Sequence, residues 1–219
     1  MSGFAKGSAL VPVLLGLAAV FAQDAAERPP AEPPAPSFTF HPRSEWTTEK
    51  EPVEGPAMDL SELRYITIHY NGDTQDLDGK DDVYQDADFA GYLRKIHHSY
   101  LTSRKYSLGY NSIVAPDGDE WEVRGFDFRN AANGCEAVNR PGYALKLVLP
   151  TPGAEPTLVQ IQGLKRAIRR IRDHVRKQGN PDTLELNGHR DVRPECGKGG
   201  TGCPGEALYR ILKAGGLEP

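Results

Sequence analysis

Three side chains of the kinds that bind zinc stand out in this sequence. His69 lies in YITIHYN (65–71), and His189 and Cys203 lie in NGHRDVRPECGKGGTGCPGEALY (187–209). Neutral imidazole and thiolate are nitrogen and sulfur donors for tetrahedral zinc, and three of them with the fourth position open make a hydrolytic site. The second stretch also contains Cys196 and six glycines. Glycine gives backbone the freedom to double back, which would return Cys203 toward His189. The same residues admit a second chemistry, with Cys203 as a thiol nucleophile and His189 as its base. Against that reading, Cys203 precedes Pro204 on a loop and not at a helix N-terminus that would lower its pKa.

The elements that must position these groups can be read from periodicity. YITIHYN alternates as a strand, with Ile66 and Ile68 on one face and Thr67 and His69 on the other. DADFAGYLRKIHHSYL (86–101) has apolar residues three and four apart and reads as a helix capped by Asp86 or Asp88. SIVAPDGDEWEV (112–123) reads as a hairpin turning at Asp117-Gly118, and YALKLVL (143–149) as a strand. The run 158–179 is the clearest helix, with Ile161, Leu164, Ile168, Ile171 and Val175 on one stripe and Gly179 closing it. Its other face carries Arg166, Arg169, Arg170, Arg172 and Arg176, read as a solvated face in preference to a site for anionic wall polymers. TLELNGH (183–189) is a last strand. Strands interleaved with long helices predict an α/β domain, a mostly central mixed β-sheet flanked by helices.

The 219 residues suffice for one domain with a tail, and a net charge of −4 offers no basic field for nucleic acid. SALVPVLLGLAAVFA is apolar but short for a membrane span, and Val20 and Ala22 resemble a signal-peptidase site. Residues 1–22 are therefore expected to be a signal peptide, 23–37 a proline-rich linker, and 38–219 the functional domain. The expected location is outside the cytoplasm, whether secreted, periplasmic or wall-associated, with no stable membrane span once the signal is removed. Retention by an uncleaved anchor is the alternative.

Three blocks together resemble the zinc-dependent N-acetylmuramoyl-L-alanine amidases of type 2, the family related to peptidoglycan recognition proteins. They are YITIHYN, SLGYNSIVAPDGDEWEVRG, and GHRDVRP followed by TGCPGEALY, in the family's order over about residues 60–212. The resemblance implies His69, His189 and Cys203 as zinc ligands, and Tyr110 and Thr201 as catalytic donors to the oxyanion. The implied substrate is the amide joining N-acetylmuramic acid to L-alanine in peptidoglycan or muropeptides. Where relatives have Gly-Ala-His after the hairpin, this chain has Ala131-Ala132-Asn133, which puts Asn133 at the substrate-groove contact. His98 is a second candidate for the groove. Some relatives carry a catalytic glutamate on the following strand, and YALKLVL contains no acid. Arg190 and Asp191 are expected to brace the loop, with Asp191 orienting His189.

A non-catalytic binding module of the same fold is the competing function. Members of that kind commonly lose the cysteine ligand, whereas this chain keeps all three ligands and Tyr110. With Cys203 taken as a ligand, Cys135 and Cys196 remain, and an exported chain permits a disulfide between them. Two unpaired thiols, or Cys196 in place of Cys203 at the metal, are the alternatives. The leader reading makes a direct prediction: the mature protein begins at Gln23, as N-terminal sequencing or intact mass will show, whereas an intact Met1 on a membrane-bound product would identify a retained anchor.

Overall fold

The computed structural model describes residues 37–71, 88–149, 154–180, 183–197 and 199–219. The expected leader, and the linker up to residue 36, lie outside the described residues. The strands are β1 (Phe40–His41), β2 (Tyr65–Tyr70), β3 (Ser112–Val114), β4 (Glu120–Glu122), β5 (Gly142–Leu147) and β6 (Glu185–Gly188). They form one mixed sheet in the order β1-β4-β3-β5-β2-β6, in which only the β3–β4 hairpin is antiparallel. The helices are α1 (Phe89–Ser99), α2 (Glu136–Asn139), α3 (Leu158–Lys177), α4 (His189–Val192) and α5 (Glu206–Lys213).

β2 is buried on both faces because it is a parallel strand flanked by β5 and β6 and covered above and below. Ile66 and Ile68 share one face with their register partners Tyr143 and Leu145, packed against Leu164, Ile168, Ile171 and Val175 of α3 and Leu208 and Leu212 of α5. The opposite face carries Thr67 and His69 beside Ala144 and Lys146. On that side of the sheet, a second apolar cluster joins Phe89, Tyr92, Leu93 and Ile96 of α1 to Leu108, Ile113 and Val148. One face of β2 is thus pure core, and the other passes from core into polar chemistry within a few residues.

α1 begins at the cap that its sequence suggests. The Asp88 side chain accepts from Gly91 N at 2.8 Å, while Asp86 lies outside the described residues. α3 starts with a reciprocal pair: Thr157 Oγ1 accepts from Gln160 N, and Gln160 Oε1 accepts from Thr157 N. It ends where Gly179 takes φ +91°, a conformation glycine reaches without strain. On the arginine face of α3, Arg166, Arg169 and Arg176 are exposed, as a solvated face requires, while Arg170 and Arg172 are half-buried and engaged with the protein itself. Arg170 makes a two-point bond to Glu120 at 2.6 and 2.7 Å, and Arg172 reaches Leu184 O and Glu218. Arg166 donates to Phe38 O, and Arg176 pairs with Asp173. Arg170, which also lies over the Phe40 ring, fastens β1 and β4 to the helix, and Arg172 fastens the C-terminus.

α3 packs closely against the β3–β4 turn at Gly163. A Cβ there would fall 2.3 Å from Gly118 O and 2.8 Å from Gly118 Cα, in the hairpin turn, where the neighbouring atoms are backbone and cannot swing aside. Gly163→Ala should therefore destabilise the domain by about 1–2 kcal/mol, even though alanine in a free helix would gain up to ~1 kcal/mol. Thermal unfolding should show a Tm lower by several degrees, and an unchanged or higher Tm would mean that the turn yields.

Candidate metal centre

His69 is the penultimate residue of β2, and His189 directly follows β6 as the first residue of α4. The two strands pair in parallel, with Ile68 opposite Gly188, so both imidazoles emerge at the carboxyl ends of neighbouring strands. That edge is where open α/β sheets bind ligands. Their ring centroids are 4.6 Å apart. A Cβ at Gly188 would meet Pro204 Cδ and the Tyr209 ring at 3.0 Å, so glycine lets α5 and the loop before it press against the end of β6. The returning loop is tied down by Arg190, whose amide donates to Cys203 O at 3.0 Å and whose guanidinium donates to Gly202 O at 2.5 Å. Cys203 Sγ thereby comes to 3.6 Å from His69 Nδ1. The donor atoms of His69, His189 and Cys203 all lie within 4.8 Å of one another, a spacing that one metal ion can bridge.

The electrostatics suit a cation. Burial, reinforced by neighbouring His189, pushes the pKa of His69 down to about 3, so its imidazole is neutral. Burial also lowers that of His189, against a hydrogen bond to Asn133 O that favours its charged form. Burial pushes the Cys203 thiol up to about 11, although the Tyr70 backbone and the charges of Lys146 and Arg190 favour its thiolate. A raised thiol pKa is the reverse of what a cysteine nucleophile needs, and a bound cation is what would convert this thiol to a ligand thiolate.

All three donors line a cavity of about 580 Å³, together with Tyr110, Thr201 and Lys146. The Tyr110 ring stands edge-on to His69, with centroids 5.3 Å apart. Burial raises its phenol pKa well above the usual value, which keeps the hydroxyl protonated and able to donate. Thr201 Oγ1 accepts from Cys203 N at 3.2 Å, so the threonine also shapes the turn that carries the sulfur. Lys146 joins the site although no sequence motif marks it. It sits opposite His69 in register on β5, buried, with Nζ 5.1 Å from the Tyr110 ring centroid. The available signal was a lone cation inside the apolar run YALKLVL.

Two expected groove residues are placed elsewhere. Asn133 is fully buried behind His69, where its Oδ1 lies 2.9 Å from His69 Nε2 and its Nδ2 donates to Val138 O. Its side chain therefore faces the donor cluster and not the groove. His98 points out to solvent and meets Glu51 at 2.6 Å, while its neighbour His97 is buried and accepts from Leu108 N. Asp191 braces the loop by accepting from Gly188 N and Tyr209 OH, and the group behind His189 is instead the Asn133 carbonyl, 3.2 Å from Nε2. Cys135 and Cys196 form a disulfide with Cα atoms 5.7 Å apart, leaving Cys203 as the free cysteine.

Residues 59–206 match the family model for N-acetylmuramoyl-L-alanine amidase. The chain belongs to that family. Among curated proteins compared by sequence, none matches. Solved structures share the fold. A Drosophila peptidoglycan recognition protein, PGRP-LB, is 21% identical with a TM-score of 0.60, and the alignment covers 84% of this chain and 97% of that one. Human PGRP-IBETAC, crystallised in complex with glycosamyl muramyl pentapeptide, is 22% identical with a TM-score of 0.61, covering 80% and 94%. Bumblebee PGRP-SA is 16% identical with a TM-score of 0.63, covering 81% and 95%.

The bridge joins the segment after the hairpin to the turn that follows α4, at a sequence separation of 61. Closing a loop of that length constrains the unfolded chain by ~4 kcal/mol in the chain-entropy model. Replacing both cysteines, Cys135→Ala with Cys196→Ala, should lower urea-unfolding stability by about 2–4 kcal/mol. Thiol labelling of the native chain before reduction should find neither residue reactive, and labelling of both would show that the bridge does not form.

Proposed function

We propose that this chain is an exported zinc hydrolase that cleaves the amide bond between N-acetylmuramic acid and L-alanine in peptidoglycan. The observation that carries the reading is the convergence of His69, His189 and Cys203, two neutral imidazoles and one thiol, on the floor of an open cavity in a member of the amidase family. The donor set fits zinc in type and number, and three protein ligands leave a fourth position open. The neighbours' own ligands support the substrate class, since a human protein of this fold is solved with a muramyl pentapeptide. No helix among the described residues is long and apolar enough to cross a membrane.

When bound, zinc supplies Lewis-acid polarisation of the amide carbonyl and a nucleophilic water at neutral pH. The chain's own residues supply the rest. His69 and His189 are held neutral by burial, so their lone pairs are available without loss of a proton. The protonated Tyr110 hydroxyl is the donor for the oxyanion that develops as the carbonyl becomes tetrahedral, and the Thr201 hydroxyl lines the same cavity. Lys146 adds a fixed positive charge on the cavity wall, which favours that oxyanion over the neutral amide. With no acid on β5, the proton for the departing L-alanine amine must pass through water or a hydroxyl. The amide C–N bond breaks, the carbonyl carbon gains oxygen from water, and the amine leaves protonated.

A recognition module that binds the muropeptide uncut is the second reading, favoured by the description of the neighbouring folds as recognition proteins. Digesting purified peptidoglycan with the zinc-loaded protein and identifying the new ends by mass spectrometry separates the two. Free L-alanine amino termini and intact lactyl muramic acid support the hydrolase; binding without new ends supports the module. Tyr110→Phe should keep zinc and lose ~10²–10³-fold in turnover, the usual cost of one oxyanion donor. Unchanged turnover would move that role to another group.

A further inference from the structure

We infer that Asn133 is the positioning residue of the metal centre, a single residue that fixes the ring orientation of both histidines so that each presents Nδ1 to the metal. This deepens the zinc reading and rests on it. The argument is one of donors and acceptors. The Asn133 amide is fully buried, and its Nδ2 donates to Val138 O at 2.9 Å. A carbonyl can only accept, so this contact fixes which end of the amide is nitrogen and leaves Oδ1 facing His69 Nε2 at 2.9 Å. Oδ1 can only accept as well. His69 must therefore carry its proton on Nε2, and the lone pair is on Nδ1, the atom that faces Cys203 Sγ at 3.6 Å. The same residue's main-chain oxygen lies 3.2 Å from His189 Nε2, which makes His189 the donor there too and frees its Nδ1.

Asn133 is itself held firmly. Its main-chain N–H donates to Asn139 Oδ1 at 2.9 Å, and two residues on, the Cys135–Cys196 bridge ties its segment to the turn after α4. Cys196 Sγ lies 3.9 Å from the Asn133 carbonyl oxygen, so the bridge sits directly against the atom that orients His189. Two acceptors on one residue thus act on two ligands from different strands. Partners behind a ligating imidazole typically change metal affinity by about 10–100-fold when lost.

Long-range ¹⁵N–¹H correlation spectra of the ¹⁵N-histidine-labelled, metal-free wild-type protein test the inference without any variant: both His69 and His189 should appear as neutral Nε2–H tautomers. A His69 Nδ1–H tautomer in that sample would overturn it. In Asn133→Ala, which removes the side-chain acceptor and keeps the carbonyl, His69 should become a tautomer mixture while His189 stays as before. Competition with a chelator should show zinc affinity weaker by about 10–100-fold. Tyr65→Phe is the control for loosening of the segment alone, because the Tyr65 hydroxyl donates to the same Val138 carbonyl without touching either histidine. It should leave affinity and tautomers unchanged. A folded Asn133→Ala protein, judged by its near-ultraviolet circular dichroism, that binds zinc as tightly as wild type would refute the positioning role and leave the metal site standing. Failure of the wild type to take up zinc would instead remove the zinc reading, and the tautomers would still decide what Asn133 does.

Discussion

The in-register parallel pairing of β2 with β6 is the constraint on which the site depends. Ile68 faces Gly188, so the residue that follows each is a histidine, His69 within β2 and His189 directly after β6, at the same edge of the sheet. No side-chain contact could bring residues 69 and 189 together as reliably as a ladder of backbone hydrogen bonds, which fixes spacing to a fraction of a residue. A slip of one residue would turn His69 into the apolar layer beneath α3 and bring Ile68 to the cavity. The hydrophobic faces on either side of β2 forbid that slip, so the packing that stabilises the fold also sets the spacing of the two imidazoles.

The third donor depends on a different kind of constraint. Cys203 comes from a loop, and loops have no ladder to register them. Here the loop is fastened by several independent ties: the main-chain and guanidinium bonds of Arg190, the Asp191 carboxylate between Gly188 and Tyr209, and the pressing of Tyr209 onto Gly188. The disulfide adds a covalent tie on the opposite side, through the segment that carries Asn133. A soft, glycine-rich stretch becomes part of a defined site because it is held at both margins.

The cavity combines neutral donors with fixed positive charge. Burial holds the imidazoles neutral and the Tyr110 phenol protonated, while Lys146 is buried on the strand beside His69. The imidazoles and the Tyr110 phenol have the protonation states that their proposed roles need before any substrate arrives, so little reorganisation remains for them during the reaction. This preorganisation follows from placing polar groups at the margin of an apolar core, where desolvation is strong and a few hydrogen bonds choose the surviving form.

Much of this was legible in the sequence because it is local. The alternation of YITIHYN, the stripe of α3, the Asp117-Gly118 turn and the donor types of His69, His189 and Cys203 are written in neighbouring residues, where side-chain period and turn chemistry act directly. The two-residue β1 and the short α2 carry too few residues for any period to show. Asp191 braces the loop as its sequence position suggests, whereas the places of Asn133, His98 and Lys146 were decided by tertiary structure alone. Asn133 is 64 residues from His69 and 56 from His189, and nothing in Ala131-Ala132-Asn133 indicates which partners its oxygen atoms will meet. His98 faces Glu51 because α1 turns it outward, and Lys146 reaches the site because β5 pairs with β2 at that register. The sequence by itself determined which chemistry the chain can hold. Only the packed sheet decided which atoms face one another, since hydrogen-bond partners far apart in the chain are selected by three-dimensional register and not by residue type.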